Sequence, residues 1–432
     1  MTIVKKSLLC LVALTSLSLS GTFAQNKKEL IIMTRVGPEN DAIKALIPEY
    51  EQISGMKIKV DETGKEGFQQ RQTTRLMAGD NLDVVMYMSD FGPLFAASKL
   101  LTPLNKYTAK PAANKSDADM ADFYPATLNA FKYKNELYGL PTDVSTWLLY
   151  YNKKMIPNPP TTYAEIPELA KKWTKRYNAS SPTSFGTQEQ SKSGSESPVN
   201  EWLAVLWAMG GELFDAKNKP IFNNEIGIKS LTYKLDLFSK DHVVPDDTPA
   251  MDAAAVIEGF RQENVAFYAH WNSNAVIFAD PKASPKVAGT LGVALIPGVA
   301  QKDGSIKRVP VTHGWAVGIP SSSKKKDDAF KFIQWLTGKH AGQKYLAAGG
   351  TPARISILQN PDNLKIRPEL GLVGQSLNFA RPKPAIKEWP QISDILQQAH
   401  ASVIGEGKPV KASLDEAAAR INDLMKKAGY YK

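Results

Sequence analysis

The side chains able to do chemistry are few, and their spacing excludes most common reactions. Five histidines stand at 242, 270, 313, 340 and 400. None pairs with another four residues on across a glutamate, so the helical zinc-protease arrangement is absent. There is no G-x-S-x-G elbow, no Walker loop and no Rossmann glycine fingerprint. The single cysteine, Cys10, falls in the N-terminal apolar stretch. Thiolate catalysis, thiolate metal sites and disulfides therefore drop out, and neither a metal nor a cofactor is expected.

What remains is a set of carboxylates and aromatics at the ends of patterned segments. Glu39 follows the first apolar run, and Tyr87 and Asp90 close "DVVMYM". Asp143, Ser145 and Trp147 alternate along one face of an extended segment. Trp271 and Asn272 interrupt "AFYAHWNSNAVIFA", where a strand gives way to a helix. Trp315 follows Gly314 in "HGWAVG", where the glycine permits close backbone approach. Of the eight tryptophans, Trp147, Trp173, Trp207 and Trp335 sit inside patterned elements and read as core. Trp202, at a helix start, is balanced between core and site. Asp90 reads equally as a helix cap, and Glu39 as a first-turn acid answering the helix dipole.

Aromatic planes and carboxylates in one cleft suit a sugar. Pyranose faces offer C–H patches for rings to cover, and hydroxyls at the edge take hydrogen bonds from polar side chains.

The elements that must position these groups alternate. Leu30–Met33 reads as a buried strand, followed by a helix ending at Gly55, the strand "MKIKVDE", a helix stopped by Gly79, and the strand "DVVMYM". Strand–helix–strand order of this kind predicts an α/β layered unit. A long extended segment around Pro141 is long enough to leave one lobe and enter another. Thr162-x-x-Glu165 and Ser413-x-x-Glu416 have the form of capping boxes. The polar stretch 178–200 reads as a surface loop. In "DDAFKFIQWLTG", Ala329, Phe332, Ile333 and Leu336 form an apolar helical stripe.

The chain has 432 residues, a length that favours two lobes. Its first 25 residues carry two lysines, an apolar run from Leu8 to Leu19 and small residues at Thr22 and Ala24. That is a secretory leader cut between Ala24 and Gln25. Cys10 lies too early for a lipid anchor, and a soluble exported protein is expected. The formal charge of +10 is scattered, and the run Lys324–Lys326 meets Asp327 and Asp328 at once. No nucleic-acid partner is expected.

The ordered set of segments resembles the extracellular solute-binding proteins of carbohydrate ABC importers, the maltose-binding-like family. The segments that carry the likeness are "RLMAGDNLDVVMY", "ELYGLPTDVSTWLLYYNKKMIPNPPTTYAEIPEL", "FRQENVAFYAHWNSNA", "LGVALIPG", "HGWAVGIPSSSKKKDDAFKFIQWLTG" and "GGTPARISI". The resemblance implies a two-lobed periplasmic-binding-protein fold of type II, with ligand in the cleft and a hinge that closes on it. The expected lobes are 25–142 with 270–319, and 143–269 with 320–432. Chain crossings are expected near Pro141–Val144, Tyr268–Trp271 and Ile319–Ser321. Trp271 matches the family's aromatic platform, and Gly314-Trp315 a loop that contacts sugar. Arg354 in "TPAR" matches a position that reaches ligand, and Asp143 and Ser145 fall on the first crossing. Glu39, Tyr87 and Asp90 match cleft positions of the first lobe. The loop "TQEQSKSGSESPVN" departs from the pattern and leaves Gln188 and Glu189 without a role. The implied partners are a carbohydrate and a membrane permease, met by a monomer in the periplasm. The rival reading is a secreted carbohydrate-active enzyme using a carboxylate pair such as Asp90 and Asp143. A basic polyanion binder is a third reading, and it predicts affinity that collapses with salt.

Overall fold

Leu30, Ile32 and Met33 carry no exposed surface. They make Glu29–Arg35 the central member of a parallel three-strand unit, with Lys57–Thr63 on one side and Val84–Met88 on the other. Helices Pro38–Ser54 and Phe68–Ala78 make the connections, and each stops at a left-handed glycine, Gly55 and Gly79, both at φ 69°. The computed structural model describes residues 28–64, 67–109, 119–194 and 196–431. The leader expected at 1–24, with Cys10, lies outside the described residues.

The segment around Pro141 becomes a strand of 13 residues, Leu140–Asn152. Its first half pairs antiparallel with Val311–Gly318, from Leu140 opposite Val317 to Thr146 opposite Thr312. Its second half lies between Phe267–Trp271 and Leu291–Leu295. Val311–Gly318 also pairs with Val84–Met88, Trp315 facing Met88. Two long strands thus run through both lobes and join strands of each into one eight-stranded sheet, with two short two-stranded sheets apart from it.

The apolar clusters show which segments belong together. One takes side chains from Leu30 to Tyr107, Phe131 to Leu140 and Trp315 to Tyr345. The others gather around the second half of the long strand and include Trp202, Leu231 and Trp389, then Tyr150, Tyr268 and Phe278.

Three expectations are corrected here. Phe267–Trp271 is not a crossing, because it pairs residue for residue with Tyr151–Trp147 inside the second lobe. The chain recrosses along Val311–Gly318 instead. Residues 320–345 do not belong to the second lobe, because Phe330, Phe332 and Ile333 fill the first core. The last passage follows the helix Lys339–Ala347, where Tyr345 packs into the first core and Leu346 into the cluster of Tyr150, Tyr268 and Phe278. Residues 270–310 accordingly lie in the second lobe. Periodicity identifies a strand, but its partners are set by long-range register.

Two local readings also change. The final helix begins at Val410, so Ser413 sits inside it and donates to Ala399 O at 3.0 Å instead of capping. The polar stretch is not all surface, since Thr187 to Ser191 are buried. The stripe Ala329, Phe332, Ile333 and Leu336 is buried as its spacing requires.

The two crossing strands approach closely at Gly314, where a Cβ would stand 2.3 Å from Asp143 O. Gly314→Ala should therefore cost ~1–3 kcal/mol by overpacking. Gly289→Ala is the control, since a Cβ there meets nothing within 4 Å. Urea unfolding checks the pair. Equal midpoints for the two variants would show that the crossing tolerates the extra carbon.

Candidate functional site

The crossing brings together side chains from the first-lobe loop, the long strand and the last passage. Asp143 is buried, and its Oδ2 accepts from Thr351 N at 2.9 Å and from the Tyr345 hydroxyl at 3.3 Å. Burial, with Glu39 nearby, pushes its carboxyl up to about 8. Glu39 lies 3.7 Å from the Arg35 guanidinium, and its Oε2 is buried without a hydrogen bond among the described residues. Arg35 lies over the Trp315 ring, 4.5 Å from its centroid, and Phe68 meets that ring edge-on. In this arrangement one face of Trp315 is already occupied.

Trp271 is half-buried at the end of its strand. Its ring stands 4.2 Å from that of His313 and 4.9 Å from that of Trp147. His313 Nδ1 is buried without a partner among the described residues. Burial, then Lys383, pushes that imidazole down to about 3, so it is neutral.

Further along the joint, Lys383 is buried between two carboxylates, touching Asp90 of the first lobe and Glu196 Oε2 of the second at 2.8 Å. Burial, and then Glu196, pushes the Asp90 carboxyl up, while Lys383 opposes. Burial also opposes charge on Glu196, but Lys383 holds its carboxyl below the usual range. Among the described residues no cluster of three or more His, Cys, Asp or Glu could hold a metal.

The profile of the bacterial extracellular solute-binding protein family matches residues 37–343. The chain belongs to that family. Among curated relatives, this solute-binding protein is 27% identical to a maltotriose-binding protein of Pyrococcus abyssi over 71% of its own chain and 62% of the other. It is 24% identical to a mannitol-binding protein of Pseudomonas aeruginosa over 84% and 85%. A probable amino-acid ABC transporter periplasmic-binding protein of Sinorhizobium fredii is 25% identical over 73% and 71%. Among solved structures, a solute-binding protein of Agrobacterium radiobacter in complex with ribitol superposes with a TM-score of 0.78 at 25% identity, covering 92% of this chain and 98% of that one. A Thermotoga lettingae protein bound to tagatose gives 0.77 at 25%, over 92% and 100%. The fold is the two-lobed one of these importer proteins.

The solute-binding protein spreads the expected site residues over several environments. Glu39, Asp143 and Tyr345 share one electrostatic neighbourhood. Trp271 and Trp315 lie at the joint, and Ser145 is buried on the long strand, its carbonyl accepting from Thr312 Oγ1 at 3.0 Å. Asn272 is bound to that strand, accepting from Thr146 N at 2.8 Å and donating its own N–H to Thr146 O at 2.9 Å. Its side chain completes the ladder. Gly314 packs against Asp143 backbone. Tyr87 has no exposed surface and lies in the first core. Trp202 lies in the second core, donating from Nε1 to Ser230 Oγ at 2.8 Å. Arg354 is buried too, donating to Thr337 O at 2.7 Å and Asp119 O at 2.6 Å, with its guanidinium 4.0 Å over the Phe123 ring.

Sequence reasoning missed Arg35, Glu196, His313, Tyr345 and Lys383. His313 adjoins Gly314-Trp315, and that position was its one available signal. Lys383 sits between two prolines in "RPKPA", and nothing local announces a buried cation.

Removing that cation should leave two carboxylates facing each other in a dry joint. Lys383→Met is expected to cost ~3–5 kcal/mol, the scale for breaking one side of a buried pair. A carboxyl whose folded pKa is raised favours folding at low pH and loses that contribution as pH rises through the folded value. The variant's deficit in melting temperature should therefore widen from pH 5 to pH 8. A deficit independent of pH would show that the three groups are not coupled.

Proposed function

We propose that the protein captures a mono- to oligosaccharide or sugar alcohol in the joint between its lobes and delivers it to an ABC-importer permease. The observation that supports this best is Trp271. It is a half-buried ring backed by His313 and Trp147, on the strand paired with the one that carries Asp143. A ring plane covers the C–H face of a sugar, and polar side chains along the same joint can bond its hydroxyls. The ribitol and tagatose held by structural relatives and the names of the maltotriose- and mannitol-binding proteins agree with that class.

On this reading the protein is a monomer, exported to the periplasm by its leader and free of a lipid anchor. It acts without cofactor or catalysis. Closure moves the first body, cored by 30–107, 131–140 and 315–345, against the second about the crossing strands. Ligand favours closure by binding that state more tightly. The rival enzyme reading takes a carboxylate pair such as Asp90 and Asp143, and of these Asp90 is engaged by Lys383.

Calorimetry with the leaderless chain against ribitol, mannitol, tagatose, maltose and maltotriose should give micromolar binding to at least one, with no new product on incubation. Binding to a peptide or polyamine with none to these sugars would overturn the ligand class. Trp271→Ala should weaken the sugar that binds by ~1–3 kcal/mol, the scale of burying a large side chain, while the melting temperature holds. A collapse in melting temperature would make Trp271 a core residue.

A further inference from the structure

Thr187 to Gln190 are buried in the second lobe. Thr187, Gln188 and Glu189 help to line a cavity of about 80 Å³ between the sheet and helices Ser197–Ala208 and Glu225–Ser239. Every side chain that lines it belongs to the second lobe. A space of that size holds several water molecules or a molecule of a few heavy atoms.

The charges inside do not balance. Lys234 Nζ lies 3.0 Å from Glu189 Oε1 and 2.7 Å from Glu201 Oε2, and all three side chains are nearly inaccessible. Two carboxylates thus face one ammonium. Glu189 Oε2 is buried with no hydrogen-bond partner among the described residues, and so are the Tyr268 hydroxyl and Trp147 Nε1 in the same lining. Burial, helped by Glu189 and opposed by Lys234, pushes Glu201 up to about 7. An excess buried anion with an open acceptor is costly unless a proton or a cation meets it.

A groove on the outer side of the lobe shares Tyr163 and Tyr233 with the cavity. The two rings meet edge to face at 5.7 Å between centroids, forming the partition between groove and cavity. Aromatic walls favour an organic cation over a bare ion.

We propose that this cavity is a second binding site, for a small primary amine, independent of the solute captured at the joint. Its ammonium donates to Glu189 Oε2 and supplies the missing positive charge. Its short alkyl part lies against Tyr163 and Tyr233. Trp147 links the site to the joint, since it lines the cavity and its ring is 4.9 Å from that of Trp271.

The test uses the leaderless chain and propylammonium chloride, with 1-propanol as neutral isostere and sodium chloride as salt control. One propylammonium per chain should bind at millimolar concentration, raise the melting temperature and change tryptophan fluorescence, whether or not a sugar is bound. Glu189→Gln should weaken it at least about tenfold, the loss expected for one hydrogen bond to a charged group. Ala204→Leu, which fills the cavity from the helix side with both carboxylates intact, should abolish it. Neither variant should alter sugar affinity, so failure of the amine site and failure of the sugar reading are read separately. Equal binding of 1-propanol, or no response to propylammonium in the parent chain, overturns the proposal. So does binding unchanged in both variants.

Discussion

Backbone hydrogen bonds between Leu140–Asn152 and Val311–Gly318 are the constraint on which the rest of the molecule depends. The ladder runs from Thr146 opposite Thr312 to Leu140 opposite Val317, with a register shift at Trp315/Ala316. A shift of that kind bends a strand and increases its twist. It falls where the sheet passes from one lobe to the other. Asp143, Ser145, His313 and Trp315 all lie on this ladder, and Trp271 lies on the strand paired beyond it. Their positions follow from register more than from their own contacts.

Charge is the second organising feature of the joint. Asp90 and Glu196 come from opposite lobes and meet through Lys383, while Glu39 faces Asp143. Such groups interact weakly across water and strongly once water is excluded. Their energies depend steeply on how far apart the lobes stand. An arrangement that costs desolvation adds little net stability, but it makes the closed geometry sensitive to what fills the space. Neutral His313 behind Trp271 fits the same logic, supplying a ring without adding a charge to an already crowded region.

The strand–helix alternation of the first lobe was legible in the sequence because each signal was local: apolar runs, Gly55 and Gly79, and the stripe of the helix Lys326–Leu336. The crossings were not. Phe267–Trp271 reads as a strand on any window, but its partner Trp147–Tyr151 lies more than a hundred residues away, and no periodicity encodes that. The same limit applied to the site. Trp271 and Asp143 announced themselves by type and position. Trp202 shares its type with Trp271, and Arg354 is as polar as Asp143, but their long-range partners Ser230 and Asp119 bind them into the scaffold. Lys383 and Glu196 became visible only when distant segments were brought together. The buried polar run at Thr187–Gln190 resembled a surface loop because composition reports hydrophilicity, and it cannot report that Lys234 waits beneath.

The helix Lys339–Ala347 contributes Tyr345 to one core and Leu346 to another. That detail bears on how the chain is made. The first core is begun by Leu30 and left open after Leu140 until Trp315 to Tyr345 arrive. Ribosomes add ~5–20 residues per second, so an emerging chain waits on the order of ten seconds or more with its first hydrophobic core unfilled. Contacts of such sequence separation also make folding slow. A polypeptide whose first core stays open through most of its synthesis keeps apolar surface exposed until residues near Tyr345 emerge.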